Sequence, residues 1–162
     1  MKIADALDKS YARLEHQLIQ LAEEMPSEGY SFRPSLEVRT FGEQLRHIGA
    51  VQWVVGAGIQ GYKSETDVGD GDSGPISMTA KPEILQYVRD SFVHIRRAIK
   101  TVNMQNALDL IPHPYDPKNT KIERLALVIG YACHGWNHYG QMIVYKRLNG
   151  IVRLSSSVSW LA

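Results

Sequence analysis

Apolar residues recur at helical spacing in four separate stretches of the chain. In the first stretch they follow one another three, four and seven positions apart, which is the pattern of an amphipathic helix that buries one face. The residues of this apolar face are Leu7, Leu14, Leu18, Leu21 and Met25. Because proline cannot continue a helix, Pro26 ends it, and the pattern predicts a first helix from near residue 2 to Met25.

The second helix is predicted to begin at a capping box. Thr40 and Glu43 have the Thr-x-x-Glu spacing in which each side chain bonds the other residue's backbone amide, so a helix is expected from Phe41 to about Gly61. Residues 62–79, "YKSETDVGDGDSGPISMT", are rich in Gly, Asp and Ser and predict a long surface connection. The segment lacks the register of an EF-hand loop, so we expect no calcium site there, and its role is open.

Two further helices are predicted in the second half of the chain. The third opens with Lys-Pro-Glu at residues 81–83, since proline is tolerated in the first turn of a helix. Its apolar face consists of Leu85, Val88, Phe92, Ile95, Ile99 and Val102. Three prolines exclude a helix at residues 111–120, and the capping-box spacing at residues 120–123 predicts the start of a fourth helix. This helix is expected to run to about Leu148 and to end at the Asn-Gly pair of residues 149–150.

These four segments predict an all-α fold. No stretch shows the alternating pattern of a β-strand, and no internal repeat is present, so the expected architecture is a four-helix bundle with a long connection between helices two and three. At 162 residues the chain fits a single domain spanning residues 1–162. Hydrophobic residues make up 44% and charged residues 22% of the chain, which is typical of a globular protein rather than a disordered one.

Charge and composition exclude several classes of partner. The net charge is only +1, so we expect no nucleic acid and no anionic membrane as a partner. The most apolar tract, residues 50–59, is too short to span a membrane, and acidic residues interrupt the start of the chain where a signal peptide would be apolar. Cys133 is the single cysteine, which excludes an internal disulfide and fits a cytoplasmic protein. We expect Cys133 to be a small buried residue.

Two histidines lie on the apolar side of helix four. The buried stripe of this helix is defined by Leu127, Tyr131, Met142 and Tyr145. His134 and His138 fall within it, and residues four apart are offset by only about 40° around a helix, so their rings can converge on one metal ion. The alternative is a pair of hydrogen-bonded core histidines without a metal.

A metal site needs at least one more ligand, and helix two offers His47 close to its apolar face. The other three histidines have simpler explanations. His16 falls between the apolar positions of helix one, His94 lies beside the apolar face of helix three, and His113 sits between two prolines. We expect these three to be solvated or to make local hydrogen bonds.

The stretches "TFGEQLRHIGAVQWV" and "HGWNHYGQMIVYKRLNGIV" resemble the DinB/YfiT-like family, also described as damage-inducible proteins. The resemblance covers nearly the whole chain and implies a four-helix bundle in which His47, His134 and His138 bind a divalent metal ion. Two positions depart from the family pattern. Arg153 follows "GIV" where proline is common, and Asn137 stands where many members have a further histidine. These differences leave the subfamily and its substrate open.

Three imidazole ligands leave positions on an ion open for water or substrate, which is typical of a catalytic site. Relatives in the wider superfamily include S-transferases and isomerases that use low-molecular-weight thiols. The resemblance therefore implies a metal-dependent transferase or hydrolase acting on a small molecule, and it favours thiol transfer or isomerisation over hydrolysis. The expected metal is zinc or nickel, or iron. Relatives commonly form homodimers. A non-catalytic metal or small-ligand binding protein remains the alternative, as does a structural protein with three core histidines.

Other side chains are candidates for the surroundings of the site. They are Gln141, Trp53, Tyr131, Trp136, Arg46, Arg89 and Arg96. The glutamine is placed to reach the histidines or to lie at the edge of the stripe, and the aromatic residues form either a pocket wall or ordinary core. The arginines either hold the carboxylates of a thiol or are solvated surface charges. The sequence assigns a catalytic role to none of these residues.

Overall fold

Four α-helices, two short strands and two short 3₁₀ helices (Ser27–Ser31 and Asp70–Asp72) make up this computed structural model, which describes residues 2–116, 118 and 120–151. The helices are α1 (Ile3–Glu24), α2 (Phe41–Ile59), α3 (Lys81–Ile99) and α4 (Arg124–Leu148), and the strands are β1 (Leu110–Pro112) and β2 (Lys121–Glu123). The helices pack as a four-helix bundle, with residues 62–79 connecting α2 to α3, as predicted. The sequence departure at Arg153 lies outside the described residues.

The ends of the first two helices follow the predicted local chemistry. At the start of α2, the backbone amide of Glu43 donates to Thr40 Oγ1 at 3.2 Å, and the amide of Thr40 donates to Glu43 Oε2 at 2.7 Å. This reciprocal pair confirms the capping box. The last carbonyls of α1 have a partner from another helix, since Lys81 Nζ donates to the carbonyl oxygens of Glu23 and Met25 at 2.8 and 2.7 Å.

The start of α4 differs from the prediction. Residues 121–123 form β2, which pairs antiparallel with β1 and places Ile122 opposite Ile111. Glu123 is the N-cap residue, and the Thr120 side chain bonds the carboxylate of Asp116 instead of a helix amide. The prediction that the chain has no strand is therefore wrong. Each strand has only three residues, which is too short for an alternating apolar pattern to stand out.

The end of α4 lies where the sequence predicts it. The helix finishes at Leu148, and Gly150 adopts a left-handed backbone with φ +74°. Asn149 is the C-cap residue, and its side chain donates to the carbonyl oxygen of Tyr145 at 2.9 Å. The Asn-Gly pair thus terminates the helix because glycine adopts this conformation without steric cost.

The buried apolar side chains form two clusters along the bundle. The first includes Leu14, Leu18, Leu45, Ile48, Phe92, Met142 and Tyr145. The second includes Tyr11, Val51, Val55, Ile95, Ile99, Leu127 and Val128. On α4, His134 and His138 lie between the residues that supply the two clusters, whereas on α2 His47 lies between Leu45 and Ile48 of the first cluster, four residues before Val51 of the second. The three histidines therefore lie near the boundary between the two apolar clusters.

Two of the arginines considered above tie α1 to α3. Arg96 Nε donates to Asp8 Oδ1 at 2.7 Å, and its Nη1 donates to Glu15 Oε2 at 2.7 Å. Arg89 is paired with Glu23. The expectation of a solvated charge is corrected for Arg96, whose side chain is only partly exposed and pairs with two carboxylates of α1. Arg89 and Glu23 both lie at the surface, so Arg89 agrees with the expected solvated charge.

Cys133 is exposed, so the expectation of a buried cysteine is wrong. It precedes His134 on α4 and therefore points about 100° away around the helix axis, outside the buried stripe. Among the described residues, no helix combines the length and the apolar character that crossing a membrane requires.

Candidate metal centre

Three histidine rings meet between α2 and α4. The Nε2 atom of His47 lies 3.1 Å from that of His134 and 3.2 Å from that of His138, and the two Nε2 atoms on α4 are 3.0 Å apart. His47 and His138 are buried, and His134 is partly buried. One nitrogen from each ring faces a common point, and among the described residues these three form the group that could hold a metal ion.

Helical spacing accounts for the pair on α4. His134 and His138 lie one turn apart on the face that packs against the bundle, where Leu127 and Met142 are completely buried. The packing of α2 against α4 then brings His47 to the same level. The expectation that the three rings come together is met, and their role as metal ligands stays a prediction.

The remaining histidines lie elsewhere. His16 is exposed on α1, and His113 Nδ1 accepts a hydrogen bond from the backbone amide of Tyr115 at 3.2 Å. His94 is partly buried and stacks on Trp53, with the ring centroids 4.5 Å apart. These positions agree with the solvated and local roles expected for His16 and His113. His94 instead packs between α2 and α3.

Asp72 is a site residue that the sequence did not reveal. The Nδ1 atom of His47 lies 2.9 Å from the backbone carbonyl oxygen of Asp72 and 3.1 Å from its carboxylate Oδ1. Both partners are acceptors, so Nδ1 carries the ring proton and donates it. With this proton on Nδ1, a His47 ring that carries a single proton directs its Nε2 lone pair toward His134 and His138. Asp72 therefore sets the tautomer and the orientation that a metal-binding histidine needs.

The backbone at Asp72 is unusual and supports a special role. Among the described residues other than glycine, Asp72 is the one with a positive φ, at +69°. Aspartate tolerates this left-handed conformation better than most residues, at some energetic cost. The conformation delivers the carbonyl and the carboxylate of one residue to the same ring nitrogen. The Gly- and Asp-rich connection 62–79 thus supplies a partner for the histidine cluster.

Arg46 holds this connection against α2. Its side chain is buried, with 7% of its surface exposed, and Nη1 donates to the carbonyl oxygens of Pro75 and Met78 at 2.8 and 3.2 Å. The expectation that Arg46 is a solvated charge is therefore wrong. Gly74 packs so closely that an added Cβ would lie 2.8 Å from the backbone oxygen of Arg46. Close backbone contact and buried hydrogen bonds together position Asp72.

The aromatic candidates have different surroundings. The Tyr131 ring lies 5.9 Å from the ring of His134, centroid to centroid, and 5.8 Å from the ring of Tyr115. Trp136 packs on Tyr139 beside the first apolar cluster. Tyr131 and Tyr115 therefore lie near the histidines, whereas Trp136 belongs to the core.

Gln141 is exposed at the edge of the α4 stripe. Its Oε1 accepts a hydrogen bond from Gln44 Nε2 at 3.1 Å. Its side chain also opposes the lowering of the His138 pKa described below. Gln141 thus lies at the margin of the histidine cluster.

Burial keeps two of the rings uncharged. Burial is the largest cause and, together with the nearby histidines and Arg39, lowers the pKa of His134 and of His138 from 6.5 to about 4. At neutral pH both rings are therefore neutral and can each offer a nitrogen lone pair. A neutral imidazole is the form that binds a metal.

The spacing of the three nitrogens fits one divalent ion. Zinc binds imidazole nitrogen at about 2.0–2.1 Å, so two ligand nitrogens of one ion are roughly 2.8–3.4 Å apart for angles of about 90–110°. The three observed separations are 3.0, 3.1 and 3.2 Å. Three nitrogen donors also suit nickel and iron, because the choice among these metals depends on geometry and supply.

Comparison with models of known protein families shows the family of this chain. The sequence model of the DinB superfamily matches residues 10–142, a span that includes all three histidines and Asp72. The chain belongs to the DinB superfamily. The resemblance seen in the sequence is thereby confirmed. No curated protein matches the chain.

Solved structures show the same DinB-type fold. A DinB-like protein from Bacillus cereus is similar with a TM-score of 0.73 and 16% identity, covering 93% of this chain and 95% of that one. A DinB-like protein from Bacillus subtilis has a TM-score of 0.71 and 16% identity, and the match covers 93% of this chain and 96% of that one. A conserved protein from Enterococcus faecalis has a TM-score of 0.73 and 12% identity, and the match covers 91% of this chain and 97% of that one. At these identities the likeness supports the fold and says nothing about a substrate.

Replacing Asp72 by asparagine should weaken metal binding about tenfold. The change removes the carboxylate charge, while the backbone carbonyl still accepts the His47 Nδ1 proton, so the loss lies near the lower end of the usual 10–100-fold effect. Competition with a chromophoric zinc chelator measures the affinity. Asp70→Asn removes the same charge from an exposed position in the same turn and should leave the affinity unchanged. Equal affinities for Asp72→Asn and the parent would contradict this role of the carboxylate.

The metal-free protein should lose stability as the pH falls from about 6.5 to about 4. In this range the unfolded chain protonates His134 and His138, whose ordinary pKa is 6.5, whereas the folded chain, with both pKa values near 4, does not. Because the unfolded state binds more protons, acid favours unfolding. Urea denaturation at pH 7 and pH 5 with a chelator present measures the loss. A His134→Ala/His138→Ala variant should show a weaker pH dependence, and an unchanged dependence would refute the assignment.

Proposed function

We propose that the protein binds one divalent metal ion through His47, His134 and His138 and uses it in a reaction of a small thiol. The observation that carries the metal assignment is the convergence of three Nε2 atoms within 3.2 Å of one another. The Asp72 contact to Nδ1 of His47 supports it, because a partner that fixes a histidine tautomer is what a metal ligand requires. Zinc and nickel suit the three nitrogens best, with iron as a further candidate.

Thiol transfer or thiol-dependent isomerisation is the reaction class that the DinB resemblance favours. A bound divalent ion would supply a Lewis acid that stabilises a thiolate at neutral pH. The protein's own residues then have separate tasks. The three histidines hold the ion, Asp72 orients His47, and Tyr131 bounds the space beside His134.

A non-catalytic metal-binding or small-ligand-binding protein is the rival proposal. It would have the same three ligands and the same affinity for metal. The described residues around the histidines include no group with an evident role as general base, and such a group would have favoured an enzyme. The two proposals differ in turnover alone. A purely structural role for the histidines predicts no metal binding at all.

The reaction is tested with thiols and an electrophilic acceptor. Zinc-loaded and chelator-treated protein are incubated with glutathione or cysteine and 1-chloro-2,4-dinitrobenzene, and thioether formation is followed by absorbance. A rate that requires both the metal and the histidine pair of α4 supports the transferase. Tight metal binding without any metal-dependent rate across a panel of thiols and acceptors favours the rival.

Three further expectations remain proposals: a homodimer, a cytoplasmic location and a single domain over residues 1–162. The homodimer has some structural support, because α4 exposes Ile129, Cys133 and Val144 along one face. Apolar side chains exposed in this way are commonly covered by a second subunit. Light scattering of the purified protein measures the mass, and a monomer mass of 18.2 kDa would rule out the homodimer.

A further inference from the structure

Arg39 lies beside the histidine cluster, although its position in the sequence, outside all four helices, did not single it out. Its Nη2 atom is 3.8 Å from Oδ1 of Asp72, the same carboxylate oxygen that lies 3.1 Å from His47 Nδ1. The guanidinium is thus separated from the proposed ligand His47 by a single carboxylate. Its positive charge also contributes to the lowered pKa values of both His134 and His138.

The backbone at Arg39 is held in place from two sides. Its carbonyl oxygen accepts a hydrogen bond from the Tyr145 hydroxyl of α4 at 2.9 Å. The next residue, Thr40, is the N-cap residue of α2 and forms the capping box with Glu43. Arg39 therefore lies just before the start of α2 and contacts α4 near its end. These are the two helices that carry the histidines.

The side chain itself remains available to a ligand. It is 42% exposed, and its separation of 3.8 Å from Asp72 is too long for a close hydrogen bond. A guanidinium has five N–H donors and matches the geometry of a carboxylate. Arg39 can therefore keep its contact with Asp72 and still bind a second anion that arrives from solvent.

The charges around the site favour such an anion. Three neutral imidazoles do not compensate a divalent cation, and Arg39 adds a further positive charge, while Asp72 supplies one negative charge at hydrogen-bonding distance. A site with this excess of positive charge attracts anionic ligands. Building on the proposed function, we propose that Arg39 binds the carboxylate of a small thiol whose sulfur occupies the open side of the metal centre. Arg39 takes the role that the sequence suggested for Arg46, Arg89 and Arg96, all of which have partners within the fold.

Two thiols that differ in one charge test this inference. Cobalt-loaded protein is titrated with mercaptoacetate, which has a carboxylate, and with 2-mercaptoethanol, which has none, and the sulfur-to-cobalt absorption band reports binding. The parent should prefer mercaptoacetate about tenfold, in line with a charge-assisted hydrogen bond. Arg39→Gln should reduce the preference to the part that the charge of the metal ion itself supplies, and Arg39→Lys should reduce it less. Arg33→Gln removes an exposed positive charge from the same loop and should behave like the parent.

The cobalt content of each variant, measured by elemental mass spectrometry, separates the two proposals. An Arg39→Gln protein that has a full complement of cobalt and shows the same preference as the parent overturns the role of Arg39 and leaves the metal site intact. A parent that has a full complement of cobalt but binds the two thiols equally well also overturns the role of Arg39 and leaves the metal site intact. A parent that binds no cobalt overturns the proposed function, and the role of Arg39 with it.

Discussion

Purified protein incubated with zinc and then desalted should retain close to one ion per chain, whereas the His134→Ala/His138→Ala variant should retain none. The parent presents three nitrogens within 3.2 Å of one another, and the variant leaves only His47. A single imidazole does not hold zinc against desalting, because protein zinc sites use three or four ligands. Elemental mass spectrometry gives the zinc content, on protein that has never contacted nickel resin.

Zinc should also stabilise the parent against unfolding, but not the double variant. At a free zinc concentration about a thousand times the dissociation constant, binding to the folded state raises the free energy of unfolding by about 4 kcal/mol. Urea denaturation with and without zinc measures the gain, which should be absent from the double variant.

A matched control removes two histidines that lie outside the cluster. In His16→Ala/His113→Ala the losses fall on an exposed position and on a loop, so its zinc content should equal that of the parent. Retention of zinc by the His134→Ala/His138→Ala variant would place the ion elsewhere. Absence of zinc from the parent would leave the three histidines as core residues and remove the enzyme proposal.

Gly74→Ala should be strongly destabilising and should also weaken zinc binding. Gly74 has φ +74°, and a Cβ added there would lie 2.7 Å from Arg46 Cβ and 2.8 Å from the Arg46 backbone oxygen. The left-handed φ alone costs about 1–2 kcal/mol for an L-residue. Because the close atoms belong to the α2 backbone, the connection has to move away from the helix, which raises the cost further. That movement separates Asp72 from His47 and should lower zinc affinity by about tenfold or more.

Gly61→Ala is the matched control for this variant. Gly61 has a similar φ of +84°, but an added Cβ would meet nothing within 4 Å. The Gly61→Ala variant should lose only the stability that the left-handed backbone conformation costs, and its zinc affinity should be unchanged. Urea denaturation and chelator competition measure both quantities. Equal losses of stability in the two alanine variants would show that close packing on Arg46 does not hold the connection in place.

The helices were predictable because their signals are local. The Thr40–Glu43 capping box, Pro26 and the Asn-Gly stop after Leu148 act within a few residues, and each lies where the chain pattern indicates. The same local spacing failed at the start of α4. There Thr120 has the right separation from Glu123, but pairing between β1 and β2 takes the intervening residues into a strand. Pairing partners nine to thirteen residues away override the local preference.

The connection 62–79 shows the limit of pattern reasoning most clearly. Its composition predicts an irregular segment, and irregular segments have no periodicity from which a contact can be inferred. Three contacts join residues 25 to 29 positions apart: Asp72 with His47, Gly74 with the Arg46 backbone, and Arg46 with Pro75. A buried arginine and a site carboxylate were therefore out of reach of the sequence pattern.

The sequence by itself determined the four-helix fold and the pairing of His134 with His138, because helical periodicity and a one-turn separation are properties of the chain. His47 was a candidate from its place near the apolar face of α2, and the family resemblance pointed to the same residue. Only the tertiary structure decided that the three Nε2 atoms meet, that Asp72 orients His47 and that Arg39 lies beside them. These contacts depend on how α2, α4 and two loops pack together, and packing is a property of the folded chain.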